Sequence, residues 1–127
     1  MTSSDRPFDN KRIVLVEDDP DVRHSLTMLL RARGFTVDVY RSGIELLSNR
    51  HMPDADCMLI DYKMPGIDGL ELLMRLRQAG TRIPALLITG YFSNTLNNRA
   101  QEAGFDGIVE KPSMGDSLIS EIEEVLR

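Results

Sequence analysis

Acidic and basic side chains follow three short apolar segments of this chain, and they are the residues best suited to chemistry. Glu17, Asp18 and Asp19 follow the first of these segments, Asp61 follows another, and Lys111 lies after the last. Carboxylate oxygens are the ligands that a hard cation such as Mg²⁺ prefers. If the carboxylates of Glu17, Asp18 and Asp61 were gathered at one place, they would need such a counter-ion. Lys111 would add a second positive charge there.

The elements that position these residues alternate between short apolar runs and longer helical patterns. The first and third runs are nearly continuous in apolar residues, which is typical of parallel strands covered on both faces. The alternation predicts an α/β fold of (βα)5 type, a doubly wound parallel five-stranded sheet with the flavodoxin-like strand order 2-1-3-4-5. The predicted strands are Arg12–Val16, Thr36–Tyr40, 56–60, Ala85–Thr89 and 107–109.

Capping residues and apolar stripes predict the five helices. Asp19 precedes Pro20, which is typical of a helix start, and Ser42, Asp68 and Ser113 are candidate caps of later helices. The third helix is expected to turn inward Leu70, Leu73, Met74 and Leu76. The fourth helix, roughly residues 94–103, has the weakest stripe, formed by Leu96, Ala100 and Ala103.

Strand order determines which polar residues meet. In an open α/β sheet the functional crevice lies beyond the carboxyl ends of the strands, and strands 1 and 3 are neighbours in the predicted order. Glu17, Asp18 and Asp61 are therefore expected to converge, with Thr89 at the end of strand 4 on the same edge. Two like charges ~5 Å apart repel by about 3 kcal/mol at an effective dielectric of 20, which favours a bound cation or a protonated carboxyl. The alternative that these acids merely cap the following helix explains Asp19, but it does not explain Glu17 and Asp18, which are not at cap positions.

Composition narrows the function classes. The chain has 127 residues and a net charge of −5, which argues against nucleic-acid binding by this segment. The single cysteine, Cys57, rules out an intrachain disulfide, and no apolar run is long enough to cross a membrane, so we expect a cytoplasmic location.

Residues 1–10 are interpreted as an N-terminal extension and residues 11–127 as a single domain. Neither a phosphate-binding loop motif nor a dinucleotide-binding glycine motif is present.

The motifs together resemble the receiver domain of two-component response regulators. The resemblance runs from about residue 11 to residue 126 and rests on an acidic pair after strand 1, an Asp-x-x-Met-Pro-Gly-x-Asp-Gly string, a threonine after strand 4 and a Lys-Pro pair after strand 5. In detail the sequence looks most like receivers of nitrogen-fixation and LuxR-type transcriptional regulators. The four pieces are Glu17-Asp18-Asp19, Asp61 to Gly69, Thr89-Gly90 and Glu110-Lys111-Pro112.

The resemblance implies a role for each matching residue. Asp61 would accept the phosphoryl group from a sensor histidine kinase or a phosphotransfer protein, and the chain would be a signalling domain rather than an enzyme. Mg²⁺ would be bound by Asp18, by Asp61, by Glu17 through a water and by the backbone carbonyl of Lys63. The hydroxyl of Thr89 and the ammonium of Lys111 would contact the phosphate. Separately from the resemblance, the weak apolar stripe of helix 4 predicts that the face formed by helix 4, strand 5 and helix 5 changes and binds a partner or a second copy.

Two residues differ from the usual receiver pattern, and two others stand near the expected phosphorylation site; all four bear on how such a switch would behave. Glu17 replaces the aspartate usual at the first acidic position, and Ile108 replaces a usual tyrosine or phenylalanine, so the aromatic movement of the family is absent. Ile108 could also simply pack beneath helix 4. Tyr91 and Lys63 stand where their side chains could screen the acyl phosphate from water, and we expect them to set its lifetime.

Two other functions compete with this interpretation. One is a receiver-like interaction module that is not regulated by phosphorylation, against which the complete acidic, threonine and lysine set counts. The other is a phosphatase of the haloacid-dehalogenase type, in which the paired aspartates follow the first strand as Asp-x-Asp. Here the first strand is followed by Glu-Asp-Asp and the expected nucleophile follows the third strand.

Overall fold

A parallel sheet with helices on both faces forms the structure. The computed structural model describes residues 8–49, 54–111 and 115–127. Within these residues the sheet has the order β2-β1-β3-β4-β5, and every neighbouring pair of strands is parallel. This confirms the predicted doubly wound (βα)5 fold. The strands are β1 (Arg12–Val16), β2 (Thr36–Tyr40), β3 (Cys57–Asp61), β4 (Ala85–Thr89) and β5 (Gly107–Glu110).

Most helices begin where their capping side chains predict. The Asp19 carboxylate accepts hydrogen bonds from two backbone N–H groups of the first turn, Ser42 accepts one from Glu45, and Asp68 accepts one from Glu71. The last helix begins after Gly115, with no side-chain cap at that position. The predicted cap Ser113 lies outside the described residues. The helices are α1 (Pro20–Ala32), α2 (Gly43–Leu47), α3 (Gly69–Gln78), α4 (Asn94–Ala103) and α5 (Asp116–Leu126).

Two apolar clusters cover the two faces of the sheet. Successive strand residues point to opposite faces, so Val14 and Val16 lie in one cluster whereas Ile13 and Leu15 lie in the other. The first cluster contains residues of α2, α3 and α4, and the second contains residues of α1 and α5. Phe8 packs against the second cluster, so the chain just before β1 also contacts this layer. The polar strand ends are therefore left to form the functional edge.

Strand β3 lies one residue later in the chain than predicted. Asp56 precedes the strand, where its carboxylate accepts a hydrogen bond from the Arg12 backbone N–H, at 2.8 Å. Asp61 is the last strand residue and pairs with Ile88 of β4. The shift matters for function because it makes Asp61 part of the rigid sheet instead of the loop that follows it. Strand β5 likewise extends to Glu110, which pairs with Thr89.

The inward face of α3 also differs from the prediction in one residue. Met74 was expected in the core, but 46% of its surface is exposed, and Leu72 is fully buried instead. The buried stripe runs through positions 69, 72, 73 and 76, which share one side of a helix with 3.6 residues per turn. Leu70 and Leu76 are buried as predicted, and so is the whole predicted stripe of α4, formed by Leu96, Ala100 and Ala103.

Helix α3 starts directly against the end of β3. The Gly69 backbone N–H donates a hydrogen bond to the Tyr62 carbonyl oxygen at 2.7 Å. A Cβ atom at position 69 would collide with the carbonyl oxygen of Asp61, so a glycine is required for this approach. The backbone around Asp61 is thus fixed by the sheet on one side and by the start of α3 on the other. None of the helices in the described parts of the chain is both long and apolar enough to cross a membrane.

Candidate functional site

Three carboxylates meet at the carboxyl edge of the sheet, as predicted. Glu17 follows β1, Asp61 ends β3, and Asp18 lies on the turn toward α1. One carboxylate oxygen from each of the three lies within 4.8 Å of the others. Glu17 is completely buried and Asp61 is 5% exposed, so two of the three charges are largely removed from water. Parallel strands end at the same edge, and this alone brings together residues that are far apart in the sequence.

Lys111 supplies the positive charge for both buried acids. Its Nζ atom donates a hydrogen bond to Asp61 Oδ1 at 3.2 Å and lies 3.1 Å from Glu17 Oε1. The contact with Glu17 has the distance of an ion pair without hydrogen-bond geometry, because Glu17 Oε1 accepts no hydrogen bond among the described residues. Lys111 reaches the site because its backbone N–H donates to the Thr89 carbonyl oxygen at 2.7 Å. The lysine is therefore fixed at its backbone as well as at its side chain.

The ionisation of the site reflects burial and crowding. Burial raises the pKa of Asp61 to about 8, with a further contribution from the adjacent Glu17 carboxyl, whereas Lys111 acts in the opposite direction. Burial lowers the pKa of Lys111, but Asp61 and Glu17 outweigh it and the net shift is upward. Both shifts have one origin, which is the presence of two acids and one base in a space with little water. An additional cation would relieve the crowding.

The acidic cluster opens into a cavity of about 270 Å³. Its walls come from several strand ends at this edge, so a small anion or a hydrated ion entering it would meet all the predicted site residues except Ile108. The cavity is lined by Glu17, Asp18, Asp19, Asp61, Lys63, Thr89, Gly90, Tyr91 and Lys111. Ile108 lies on β5, where it is half-buried and packs against the apolar cluster that contains α4.

Thr89 and Tyr91 form a closed hydrogen-bonded turn at the wall of this cavity. The Thr89 hydroxyl donates to the Tyr91 carbonyl oxygen at 3.1 Å and accepts from the Tyr91 N–H at 3.0 Å. The Tyr91 side chain is 72% exposed, and the Lys63 Nζ atom lies 5.2 Å from the centre of its ring. This distance is within the range of a cation–π contact. Lys63 and Tyr91 thus meet at the mouth of the cavity.

The donor set fits a magnesium ion. All three acidic side chains offer hard oxygen atoms, Glu17 Oε1 has no hydrogen bond among the described residues, and the cavity leaves room for the waters that Mg²⁺ keeps. Repulsion among three neighbouring carboxylates is the cost that such an ion would remove. The acidic cluster is therefore a candidate site for a divalent cation.

One residue of the site was not anticipated from the sequence. The Arg23 guanidinium donates from its Nη1 atom to the carbonyl oxygens of Glu17 and Asp18, at 3.0 and 3.2 Å. A signal was present, because Arg23 is the fourth residue of α1 and a cation near a helix N-terminus is disfavoured by the helix dipole. A basic residue at such a position indicates a local acceptor.

Comparison with known proteins identifies the family. A family model described as the response regulator receiver domain matches residues 13–123. The chain belongs to the response regulator receiver domain family. Receiver domains are signalling domains, and the fold and the acidic cluster agree with this membership. The residues that the family model matches include both the acidic pair after β1 and the lysine after β5.

Curated relatives place the receiver domain beside regulators named MprA. It is 34% identical over 116 residues to the response regulator MprA of Mycobacterium ulcerans, and 34% identical over 116 residues to that of Mycobacterium leprae. The match covers 91% of this chain but 50% and 51% of those two proteins. The chain thus spans about half the length of these relatives. They do not support the finer resemblance to nitrogen-fixation and LuxR-type receivers.

Solved structures agree on the architecture. A CheY-like receiver domain protein from Methanospirillum hungatei superposes with a TM-score of 0.84 at 28% identity and covers 92% of this chain and 94% of its own. The response regulator TrrA from Thermotoga maritima, solved in complex with Mg²⁺-BeF, gives a TM-score of 0.81 at 29% identity and covers 91% of this chain and 99% of its own. Both similarities extend over nearly the whole chain.

The raised pKa of Asp61 predicts a pH dependence of stability in the absence of divalent cations. A carboxyl whose pKa is higher in the folded state stabilises the fold below its unfolded pKa, and this contribution is lost as the pH rises through the folded value. We therefore expect wild-type protein to lose stability relative to Asp61→Asn as the pH rises from about 4 to about 8. Urea unfolding of both proteins in a chelator, at a series of pH values, measures this difference. A difference that does not vary with pH would contradict it.

Proposed function

We propose that this receiver domain is a phosphoryl-accepting switch of a two-component phosphorelay, with Asp61 as the phosphoacceptor. The observation that carries the proposal is the position of Asp61, which ends the central strand β3, faces the cavity, contacts Lys111 and adjoins two further acids. The same arrangement counts against a receiver-like module that is not phosphorylated, because such a module would not need buried acids in mutual repulsion.

The chemistry follows from the side chains of the cavity. One Asp61 carboxylate oxygen attacks the phosphorus of a phosphohistidine, so that an O–P bond forms and the P–N bond breaks. The electron pair of the broken bond returns to the donor imidazole, which takes up a proton. Lys111, already 3.2 Å from Asp61, is placed to neutralise charge on the phosphoryl oxygens. Acetyl phosphate is expected to serve as a small donor.

Magnesium is the proposed cofactor. Asp18 and Asp61 would bind the ion directly, Glu17 would act through a water, and the backbone carbonyl of Lys63 would complete the protein ligands. When bound, Mg²⁺ would supply positive charge next to the phosphoryl oxygens. Support comes from the convergence of the three carboxylates and from the similar TrrA protein, which was solved in complex with Mg²⁺-BeF.

The partners follow from the same proposal. A sensor histidine kinase or a phosphotransfer protein would supply the phosphoryl group, and the face of α4, β5 and α5 would bind a partner or a second copy. We propose residues 11–127 as the single receiver unit after an extension of residues 1–10, and the family match over residues 13–123 supports this division. The domain would assist its own phosphorylation and dephosphorylation and bind no nucleic acid itself, and its location in the cytoplasm stays a prediction.

Incubation with Mg²⁺ and acetyl phosphate tests the phosphoacceptor. We expect a phosphoryl adduct on wild-type protein and none on Asp61→Asn, because the amide lacks a nucleophilic carboxylate oxygen. Intact-protein mass spectrometry measures the adduct. Asp68→Asn is the matched control, since Asp68 lies in the same motif but caps α3, and asparagine caps a helix equally well. An adduct that persists in Asp61→Asn, or disappears in both variants, would refute the assignment.

The contact between Lys63 and Tyr91 is proposed to slow hydrolysis of the acyl phosphate. The two side chains meet at the cavity mouth, where water must enter. An exposed cation–π contact is worth roughly 0.5–1 kcal/mol, so Lys63→Ala and Tyr91→Ala are each expected to shorten the phosphate lifetime roughly 2- to 5-fold. Loss of phosphorylated protein after removal of the donor measures the rate.

A double variant and a neighbouring aromatic provide the controls for this lifetime. Lys63→Ala combined with Tyr91→Ala should hydrolyse no faster than the faster single variant, because either change alone breaks the same contact. Phe92→Ala removes an exposed aromatic side chain beside Tyr91 that does not line the cavity, and should leave the rate unchanged. Equal lifetimes in wild type and both single variants would rule out the screening role.

The switch itself is proposed to pass through Thr89. Its hydroxyl donates to the Tyr91 carbonyl, and it must leave this acceptor before it can donate to a phosphoryl group on Asp61. That exchange would release the segment between β4 and α4. Helix α4 buries only Leu96, Ala100 and Ala103, so its packing resists movement less than that of a leucine-rich helix. Ile108 has no hydroxyl and packs against the cluster beneath α4.

Hydrogen exchange tests this route. With Mg²⁺ and beryllofluoride, a phosphoryl mimic, we expect altered protection of amides in α4 and β5 and unchanged protection in α1. Thr89→Val keeps the shape of the side chain but removes the hydroxyl, and should suppress the change in α4. Identical protection of α4 with and without beryllofluoride would show that this face does not respond.

A further inference from the structure

The Arg23 side chain holds the turn that carries the acidic pair. It is half-buried, and its Nη1 atom donates to two consecutive carbonyl oxygens, those of Glu17 at 3.0 Å and Asp18 at 3.2 Å. The backbone N–H of Arg23 donates to the Asp19 carbonyl oxygen at 2.8 Å, which fixes the residue in the first turn of α1. A single guanidinium thus ties the end of β1 to the helix that follows it.

The two bonded carbonyls lie on either side of the Asp18 Cα atom. Each carbonyl belongs to a rigid planar peptide unit, one between Glu17 and Asp18 and one between Asp18 and Asp19. Fixing both planes fixes the backbone angles φ and ψ of Asp18, and these determine the direction of its Cα–Cβ bond. Arg23 therefore controls where the Asp18 side chain leaves the backbone, although its guanidinium donates to the Asp18 carbonyl oxygen and, among the described residues, not to the Asp18 carboxylate.

Asp18 depends on this tether more than its neighbours do. The Glu17 N–H donates to the Tyr40 carbonyl oxygen, and the Glu17 carboxylate accepts from the Asp19 N–H at 3.2 Å and contacts Lys111. Asp19 is fixed by its role as the cap of α1. Among the described residues Asp18 accepts a hydrogen bond at its backbone carbonyl and none at its carboxylate, which lines the cavity and has an oxygen within 4.8 Å of the Glu17 and Asp61 carboxylate oxygens. The backbone is its main constraint.

We propose that Arg23 is a positioning residue that aims the Asp18 carboxylate into the cavity and thereby raises the affinity of the site for Mg²⁺. The inference rests on the proposed function, because it takes the acidic cluster as the magnesium site. The positive charge of Arg23 and its hold on the backbone have opposite effects on the affinity for Mg²⁺. Removal of a positive charge near a cation site by itself tightens cation binding, whereas release of the two peptide planes weakens it. The direction of the change therefore separates the two roles.

Magnesium affinity of the folded protein is the measurement. Wild type, Arg23→Ala and Arg23→Lys are titrated with Mg²⁺ alone, and amide chemical shifts of folded protein are followed by NMR. We expect Arg23→Ala to bind Mg²⁺ about 10-fold more weakly, the lower end of the effect typical of residues that orient metal ligands. Arg23→Lys keeps the charge but loses the planar guanidinium, so it is also expected to bind more weakly than wild type.

A second arginine of the same helix is the matched control. Arg31 lies in the last turn of α1 and donates to the Val37 carbonyl oxygen at 3.4 Å, far along the chain from the acidic turn. Arg31→Ala removes an equal charge and a similar side chain-to-backbone bond, and should leave Mg²⁺ affinity unchanged. Urea unfolding without Mg²⁺ reports any loss of stability separately, because the titration reports only folded molecules.

The outcomes distinguish this inference from the function on which it rests. Unchanged or tighter Mg²⁺ binding by Arg23→Ala, or wild-type affinity in Arg23→Lys, would overturn the positioning role while the magnesium site stands. If Arg23→Ala does not fold, the affinity of Arg23→Lys decides the question. Absence of any Mg²⁺ response in wild type would instead count against the proposed function itself.

Discussion

Two buried carboxylates share one lysine in this fold, and that arrangement constrains the rest of the site. Glu17 and Asp61 are almost fully removed from water, and the Lys111 ammonium lies within 3.2 Å of both. An unpaired charge at such depth is strongly destabilising, whereas a shared cation makes the pair tolerable without making it favourable. The site therefore keeps an unmet preference for additional positive charge. That preference gives a reason for cation binding that lies in the protein alone.

The sheet was predicted well from the sequence because the pattern of polar and apolar residues that indicates a strand is local in the chain. Strands β1, β2 and β4 have the predicted bounds. Strands β1 and β4 are mostly apolar runs, β2 alternates polar and apolar residues, and a polar residue or a turn follows each of them. Strand β3 was misplaced by one residue because acids flank the apolar run on both sides. Local pattern cannot tell which acid belongs to the sheet. The contact of Asp56 with the Arg12 backbone N–H, 44 residues away, decides it. Met74 was misassigned because the adjacent stripe through Leu72 fits the helical period equally well.

The site was predictable as a set of residues but not as a set of contacts. Strand order alone brings Glu17, Asp18 and Asp61 together, and this required no knowledge of side-chain conformations. The double contact of Lys111 and the turn closed by the Thr89 hydroxyl depend on side-chain torsions, which leave no pattern in the sequence. Arg23 could be suspected from its position near the start of α1, but its acceptors could not be identified. They are the backbone carbonyls of Glu17 and Asp18, and every residue has a backbone carbonyl.

The attachments of α4 indicate which of its ends is free to respond to the site. At its C-terminal end the Arg77 guanidinium donates to the Gly104 carbonyl oxygen at 3.0 Å, and the same side chain bonds the carbonyls of Thr81 and Ile83. That end is fixed to the chain that follows α3. The N-terminal end follows the turn held by the Thr89 hydroxyl, whose two hydrogen bonds are both to Tyr91. A change at Thr89 therefore acts on the less restrained end. Because Ile108 is an aliphatic side chain that is half-buried against the cluster beneath α4, the proposed route through the Thr89 backbone does not need the movement of an aromatic ring.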